Sequence, residues 1–259
     1  MEKMEHPIIL SIAGSDPSGG AGIQADLKTI AALGGYALTA VTALTVQNTM
    51  GVSRSVAVAD ALLKEQLEAL FADFQIDAVK IGMLSTAENV AVVVDVLKRH
   101  NVLSVVCDPL MFSTSGYELL DARGVDLAQK ELFPLCTLIT PNLIEAQVFG
   151  GNGMVMAKRY GTAVLVKGGH ADGETMKDVL FCTDGARYEY VAEKVTTKNL
   201  HGTGCTLSSA IATYLAHGYP LPQAVDLAKR YITDCIVEGA QLSIGHGNGP
   251  LWHFPNKQS

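Results

Sequence analysis

Residues 7–20 read PIILSIAGSDPSGG, an apolar stretch of strand length that ends in a run rich in glycine. A strand that is apolar at nearly every position indicates a parallel sheet covered on both faces. Similar apolar stretches recur along the chain and are separated by helical segments and short loops. The sequence therefore predicts an α/β fold of the Rossmann-like type, in which a mostly parallel central sheet carries helices on both faces.

The predicted elements follow from apolar periodicity and from turn signals. Asp60 is expected to cap the helix that it precedes. Residues 183–186, TDGA, predict a hairpin between the last two strands. The predicted strands are 7–13, 52–59, 78–81, 103–107, 138–140, 163–166, 178–182 and 187–191, and the predicted helices run from the glycine-rich turn to 33 and over 60–74, 87–100, 203–217 and 222–240.

Length and composition bound the class of protein. The 259 residues contain no linker-like or repeated segment, which predicts a single domain over 1–259. Hydrophobic residues make up 48% and charged residues 17%, a globular composition. The net charge of -7 argues against nucleic acid or an anionic membrane as partner. The uncharged stretch 29–53 is interrupted by glycine and polar residues, so no transmembrane span is expected, and the charged residues 1–6 do not resemble a signal peptide.

Cysteine and histidine usage argues against disulfides and against a zinc or histidine metal site. The seven histidines are scattered, and the five cysteines show no paired spacing. We therefore expect a reduced, cytoplasmic protein. The cysteines are Cys107, Cys136, Cys182, Cys205 and Cys235.

Ligands of such sheets bind outside the carboxyl ends of the strands, and the glycine-rich and polar motifs follow apolar runs there. Residues 13–26, AGSDPSGGAGIQAD, bring backbone N–H groups to a helix start, where a ligand can approach closely. No Gly-Lys-Ser/Thr follows, so this is not a phosphate P-loop. The alternative is an ordinary turn with Asp26 as a solvated helix residue.

The motif HGTGCT, residues 201–206, runs into a predicted helix. Gly202 and Gly204 leave N–H groups free to point at an anion, and the helix dipole adds positive potential. This arrangement suits a transferring phosphoryl group. Cys205 lies in the first helical turn, where the pKa of a thiol is expected to fall. For a lone cysteine, packing at the helix start is the favoured alternative.

Three charged residues follow strands or begin helices. Asp108 ends an apolar strand and is a candidate for Mg²⁺ binding or for general-base catalysis. Glu145 in TPNLIEA, residues 140–146, suits a Mg²⁺ held through water, although complementing the helix dipole alone is the favoured alternative. Lys167 in KGGH, residues 167–170, can reach a nucleotide phosphate, or it extends to solvent at the rim.

Two uncharged residues complete the candidate site. Gln47 follows a long apolar run, and its amide can donate to and accept from the edge of a heterocycle. Met83 follows the strand 78–81, where core filling is the usual role of methionine.

Taken in order, the motifs resemble the bacterial hydroxymethylpyrimidine/phosphomethylpyrimidine kinases of thiamine biosynthesis, in the ribokinase superfamily. The resemblance spans essentially the whole chain, and the combination of AGSDPSGGAGIQADLKT with HGTGCTLSSAIA is highly specific. The motifs are AGSDPSGGAGIQADLKT, TALTVQNTMGV, KIGML, DPLM, SGYELL, ITPNLIEA, VLVKGGH, HGTGCTLSSAIA and GHGNGPLWHF.

The resemblance implies a homodimeric ribokinase-like enzyme that uses ATP and Mg²⁺. Its substrate would be 4-amino-5-hydroxymethyl-2-methylpyrimidine, which it phosphorylates to the monophosphate and then to the diphosphate. By motif, the pyrimidine pocket would be lined by Gln47, Gly14, Asp26, Met83 and Leu110, and ATP would be bound by Lys167, Gly245, His246 and Gly247. Mg²⁺ and its waters would be ordered by Asp108, Asn142 and Glu145. The anion hole would be formed, and the base placed, by Gly202, Gly204 and Cys205, and Asp108 would also be catalytic.

Two features depart from the family pattern. DPLM stands where DPVM is commoner, and residues 147–162 are shorter than the helix-bearing segment that family members usually have.

A pyridoxal kinase of the same branch is the closest alternative, but Gln47 favours an aminopyrimidine, because an amide pairs with an amino group beside a ring nitrogen. A non-catalytic binding protein is disfavoured by Asp108, Glu145, Lys167 and Cys205.

Overall fold

The computed structural model describes residues 6–113, 116–168 and 175–255. The strands are β1 (Ile8–Ser15), β2 (Tyr36–Asn48), β3 (Gly51–Ala57), β4 (Ala78–Ile81), β5 (Val105–Cys107), β6 (Leu138–Ile139), β7 (Ala163–Gly168), β8 (Thr175–Phe181) and β9 (Arg187–Glu193). The α-helices are α1 (Gly22–Ala32), α2 (Asp60–Asp73), α3 (Ala87–His100), α4 (Ala122–Leu127), α5 (Leu143–Val148), α6 (Gly153–Tyr160), α7 (Thr203–Ala216) and α8 (Leu221–Gly239).

Within the described residues, the strands form one nine-stranded sheet in the order β3-β2-β1-β4-β5-β6-β7-β8-β9. The six neighbouring strands β2, β1, β4, β5, β6 and β7 are parallel to one another. At the edges, β3 pairs antiparallel with β2, β8 with β7, and β9 with β8. The predicted mostly parallel sheet is confirmed. So is the hairpin between β8 and β9, where Gly185 takes the positive φ of 94° that such a turn requires.

Both faces of the sheet are covered. Side chains alternate along each strand, so that Ile9 packs with α1, α7 and α8 while Leu10 packs with α2, α3 and the helices that follow β5. Each face has its own apolar core, as expected for strands that are apolar throughout. The carboxyl ends of β1, β4, β5, β6 and β7 therefore meet at one edge of the sheet.

Several local predictions were wrong. The uncharged stretch 29–53 contains β2, which the prediction omitted. Asp60 is the first residue of α2, and Ala59 stands at the cap position without a side-chain hydrogen bond. The segment 147–162 contains helix α6, capped by Asn152, whose Oδ1 accepts from the backbone N–H of Met154. Helix α4 and the π-helical and 3₁₀ turns at 128–135 were not predicted either.

None of the described helices combines the length and the apolar character that crossing a bilayer requires.

Candidate active site

A cavity of about 1010 Å³ opens at the edge where the parallel strands end, at the upper limit of usual ligand-pocket sizes. Loops after β1, β5 and β9 and the start of α7 form much of its wall. Most of the residues predicted for the site lie in this wall. They are Gly14, Gln47, Met83, Leu110, Asn142, Glu145, Lys167, Gly202, Gly204 and Cys205.

An ion pair lies next to the cavity. Nζ of Lys167, at the end of β7, lies 2.6 Å from Oδ1 of Asp108, which follows β5. Thr140 donates to the same oxygen at 3.1 Å. Burial opposes the charge of Lys167, but Asp108 and Glu145 raise the pKa of its ammonium. The lysine is therefore a permanent cation, and Asp108 holds it in place. Gly169, His170 and Ser115 of the quoted motifs lie outside the described residues.

The first turn of α5 holds Glu145 in a capping box. The backbone N–H of Glu145 donates to Oδ1 of Asn142 at 2.9 Å, and the backbone N–H of Asn142 donates to Oε2 of Glu145 at 2.8 Å. Burial, with a contribution from Asp108, raises the pKa of Glu145 to about 7, although Lys167 acts in the opposite direction. The structure thus ties the side-chain oxygen of Asn142 to the helix start, which leaves Glu145 and Asp108 as the carboxylates of the site.

The residues present fit a Mg²⁺ ion. Oδ2 of Asp108 is buried, and within the described structure it has no hydrogen-bond partner. Such an atom requires a donor or a cation. No group of three or more His, Cys, Asp or Glu side chains in the described ranges is arranged to hold a metal. Two carboxylates suffice for Mg²⁺, because this ion keeps several waters and takes its other ligands from phosphates.

The start of α7 forms the predicted anion cradle. Gly202 has φ +90°, and a Cβ there would collide with the backbone of Gly20. A Cβ on Gly204 would lie 3.0 Å from Oδ2 of Asp108 and 3.4 Å from Nζ of Lys167. The helix start therefore stands directly against the ion pair, and glycine at both positions permits this approach. An anion here would meet the positive end of α7 and the ammonium of Lys167 together.

Cys205 lies in the first turn of α7 and is 6% exposed. The expectation of a lowered thiol pKa was wrong. Burial raises the pKa of Cys205 to about 11, although Lys80 and a backbone N–H act in the opposite direction. Desolvation of the thiolate outweighs the helix end here. The thiol is therefore protonated at neutral pH.

Asp26 does not lie in the cavity wall, contrary to the prediction. Its side chain is fully buried and accepts hydrogen bonds from Nζ of Lys80, at 2.8 and 2.9 Å. Ser11 and Ser209 donate to the same carboxylate at 2.6 and 2.7 Å. Ser209 lies one turn after Cys205 on α7, so this buried cluster holds α7 against the sheet rather than contacting a ligand.

The stretch 245–247, predicted for the ATP side, packs against Thr49, and its role in ATP binding stays a prediction. The backbone N–H of Gly247 donates to Oγ1 of Thr49, and a Cβ on Gly245 would collide with the Thr49 side chain. This places the stretch, His246 included, against the end of β2 close to Gln47. None of its residues lines the cavity.

Gln47 lies in the cavity wall beside two residues that the sequence interpretation left without a role. Its side-chain amide lies 3.3 Å from Nε2 of His201 and 3.1 Å from Oγ1 of Thr45. Nε2 of His201 lies 2.8 Å from Oδ2 of Asp16. His201 directly precedes Gly202 of the anion cradle in the sequence, and this position was the signal that could have identified His201 as a residue of the site.

An apolar patch lies in the same wall. Met83 packs with Leu110 and Leu119 in a small cluster. A Cβ on Gly14 would lie 2.8 Å from Sδ of Met83, so the glycine makes room for the methionine. These residues offer a flat aromatic ring an apolar surface next to the Gln47 amide.

Comparison with known proteins decides the family. The model of the phosphomethylpyrimidine kinase family matches residues 16–252. The chain belongs to this family. The hydroxymethylpyrimidine/phosphomethylpyrimidine kinase of Rhizobium meliloti is 46% identical to this family member, over 95% of the chain and 97% of the relative. The Escherichia coli protein of the same description is 40% identical, over 95% and 96%.

Solved structures confirm the ribokinase-like fold of this phosphomethylpyrimidine kinase family member. The phosphomethylpyrimidine kinase of Clostridium difficile is 44% identical, with a TM-score of 0.75 over 89% of this chain and 99% of that one. An ADP complex of Bacillus subtilis pyridoxal kinase superposes better, with a TM-score of 0.86 over 98% and 100%, but is only 30% identical. The fold is shared by both activities, so sequence identity and the site, rather than superposition, separate them.

Proposed function

We propose that the protein transfers a phosphoryl group from ATP to 4-amino-5-hydroxymethyl-2-methylpyrimidine, and then a second one to the resulting monophosphate, in thiamine biosynthesis. The observation that carries this proposal is one cavity whose wall holds both the Gln47 amide and the anion cradle at Lys167. Full-length relatives at 40–46% identity are named for both phosphorylations. A single domain over 1–259 would perform both.

Positioning and charge neutralisation supply most of the catalysis in phosphoryl transfer. Lys167 would contact the phosphates of ATP, and the N–H groups around Gly202 and Gly204 would receive the negative charge that develops on the transferred group. Mg²⁺, when bound at Asp108 and Glu145, would neutralise phosphate charge. In our proposal the ion pair between Lys167 and Asp108 keeps the ammonium directed toward α7.

The thiolate form of Cys205 would receive the proton of the substrate hydroxyl and become the neutral thiol. With a thiol pKa raised to about 11, its thiolate form is scarce at neutral pH. A loose transition state asks for little deprotonation of the attacking alcohol, so the proton would move late, when the new bond has largely formed. Lys80 favours the thiolate form from which this transfer starts.

Gln47 would read the pyrimidine. Its carbonyl accepts from the exocyclic amino group while its N–H donates to the adjacent ring nitrogen, and Met83 and Leu110 would cover the ring. Pyridoxal lacks this amino group, which favours the pyrimidine over pyridoxal as substrate.

We further propose a homodimer formed through the β2–β3 ribbon. Leu44, Val46 and Val56 are 58%, 59% and 47% exposed on this ribbon at the edge of the sheet. A second copy would cover these apolar side chains.

The five cysteines are free thiols, and a reducing cytoplasm would keep them so.

An ADP-release assay tests the function. The purified protein is supplied with ATP, Mg²⁺ and one acceptor: the free pyrimidine, its monophosphate, or pyridoxal. We expect turnover with both pyrimidines and a lower kcat/KM for pyridoxal. A protein that uses pyridoxal best is a pyridoxal kinase, and one that releases no ADP with any acceptor is not a kinase of this class.

A further inference from the structure

The closing motif GHGNGPLWHF, residues 245–254, contacts the anion cradle at two points. The backbone N–H of His201, directly before the cradle, donates to the carbonyl oxygen of Gly249 at 3.1 Å. Nε2 of His253 lies 3.1 Å from the hydroxyl oxygen of Thr206 in the first turn of α7. In the described structure neither Thr206 nor His253 lines the cavity. The contact between these two side chains therefore lies outside the space for the ligand.

The start of α7 has to be held by contacts other than a cap. Gly202 stands at the cap position and has no side chain to accept from the N–H groups of the first turn. An anion hole requires this, because a capping oxygen would take up the N–H groups that the transferred group needs. In the second turn, Ser209 donates to Oδ1 of Asp26 at 2.7 Å. In the first turn, Thr206 contacts His253.

His253 is itself fixed to α8. The hydroxyl of Tyr231 donates to the backbone carbonyl oxygen of His253 at 2.7 Å, and the N–H of Trp252 donates to the carbonyl oxygen of Cys235 at 3.2 Å. Burial lowers the pKa of His253 to about 4, so its ring is neutral at neutral pH. Nε2 of a neutral imidazole forms a hydrogen bond with a hydroxyl in either tautomer, as donor or as acceptor. The hydroxyl of Thr206 is thus held by a ring that α8 keeps in place.

We propose that His253 is a positioning residue that holds the first turn of α7, through the hydroxyl of Thr206, where its N–H groups receive the transferred phosphoryl group. The inference rests on the proposed function. Donors of this kind act by standing in place before charge develops on the transferred group. Thr206 is fully buried, so without His253 its hydroxyl has lost its partner and the first turn is free to shift. Because His253 is remote from the pyrimidine, its loss should lower the rate of transfer and not the affinity for the pyrimidine.

The test compares steady-state kinetics with calorimetric binding of 4-amino-5-hydroxymethyl-2-methylpyrimidine, both on the full-length protein. His253→Leu and Thr206→Val each remove the hydrogen bond, one from each side. We expect each to lower kcat roughly tenfold, the rate equivalent of one lost hydrogen bond, and to leave the calorimetric Kd nearly unchanged. The double variant should be no slower than either single variant, because both remove the same bond. His253→Gln keeps a group that can bond to the hydroxyl at similar reach and should retain most of kcat.

Asn152→Ala is the control for lost stability. It removes the cap of α6, and it should lower the midpoint of urea unfolding while kcat stays at the wild-type value. Thr206→Val gives the answer if His253→Leu does not fold, as judged by thermal unfolding. A similar loss of kcat in Asn152→Ala would make the effect one of stability and overturn the positioning role.

The other outcomes also separate the inference from the proposed function. Wild-type kcat in His253→Leu and Thr206→Val, losses that add in the double variant, or equal losses of kcat and of pyrimidine affinity overturn the positioning role. A wild-type protein that releases no ADP with any acceptor overturns the proposed function, and the inference with it. One that uses only pyridoxal contradicts the proposed substrate alone, and the same variants then test His253 with pyridoxal as acceptor.

Discussion

Replacement of Glu145 by Gln should change how the stability of the protein depends on pH. The pKa of Glu145 is raised from 4.5 to about 7, mainly by burial, and its side chain belongs to a residue that is 3% exposed. Between these two pH values the folded state keeps a proton that the unfolded state has lost. Stability therefore falls as pH rises from about 4.5 to 7, by roughly 3 kcal/mol from this group.

Glutamine is a matched replacement because its side-chain oxygen can still accept from the N–H of Asn142 and complete the capping box. Urea unfolding of both proteins at several pH values between 5 and 8, without Mg²⁺ or nucleotide, gives the difference in unfolding free energy. We expect the unfolding free energy of Glu145→Gln, relative to that of wild type, to increase by up to about 3 kcal/mol as pH rises. Above pH 8 this difference should stay constant. Parallel curves across this range would show that Glu145 is not desolvated as the structure has it.

Three further substitutions probe the anion cradle and the cluster beneath it. Gly204→Ala places a methyl group 3.0 Å from Oδ2 of Asp108, and steady-state kinetics should show a lower kcat with folding intact; wild-type kcat would mean that the cradle tolerates a side chain. Lys80→Met leaves the carboxylate of Asp26 buried without its cation, and urea unfolding should show a loss of about 3–5 kcal/mol, whereas a loss under 1 kcal/mol would contradict the buried pair. Cys205→Ala should lower kcat roughly 100-fold or more while calorimetry shows unchanged pyrimidine binding, and near wild-type kcat would assign the thiol to packing.

Local sequence signals were sufficient to predict the strands and helices that have a clear apolar periodicity or a strong terminating residue. The apolar stretch that became β1 and the long helices α3, α7 and α8 needed no tertiary information. β2 was not predicted because its thirteen uncharged residues, rich in Val, Ala and Thr, show no strict alternation of polar and apolar positions. Helix α6 has only eight residues and follows two glycines with positive φ, so its Asn152 cap was not enough to predict it.

The cavity wall was largely predictable because carboxyl ends of parallel strands must meet at one edge. The contacts that were not predicted join distant parts of the chain. Lys80 is 54 residues from Asp26, and Gly247 is 198 residues from Thr49. No spacing rule brings such pairs together. The thiol of Cys205 shows a different limit, because the sequence reveals the helix end that lowers a pKa but not the burial that raises it.

The most direct test of the central claim is the product that the purified chain forms from the free aminopyrimidine with excess ATP and Mg²⁺, followed by phosphorus-31 NMR. We expect a monophosphate signal to appear first and then to give way to the two coupled signals of a diphosphate ester, with one ADP released at each step. Accumulation of the monophosphate without any diphosphate would contradict the claim that one cavity performs both transfers.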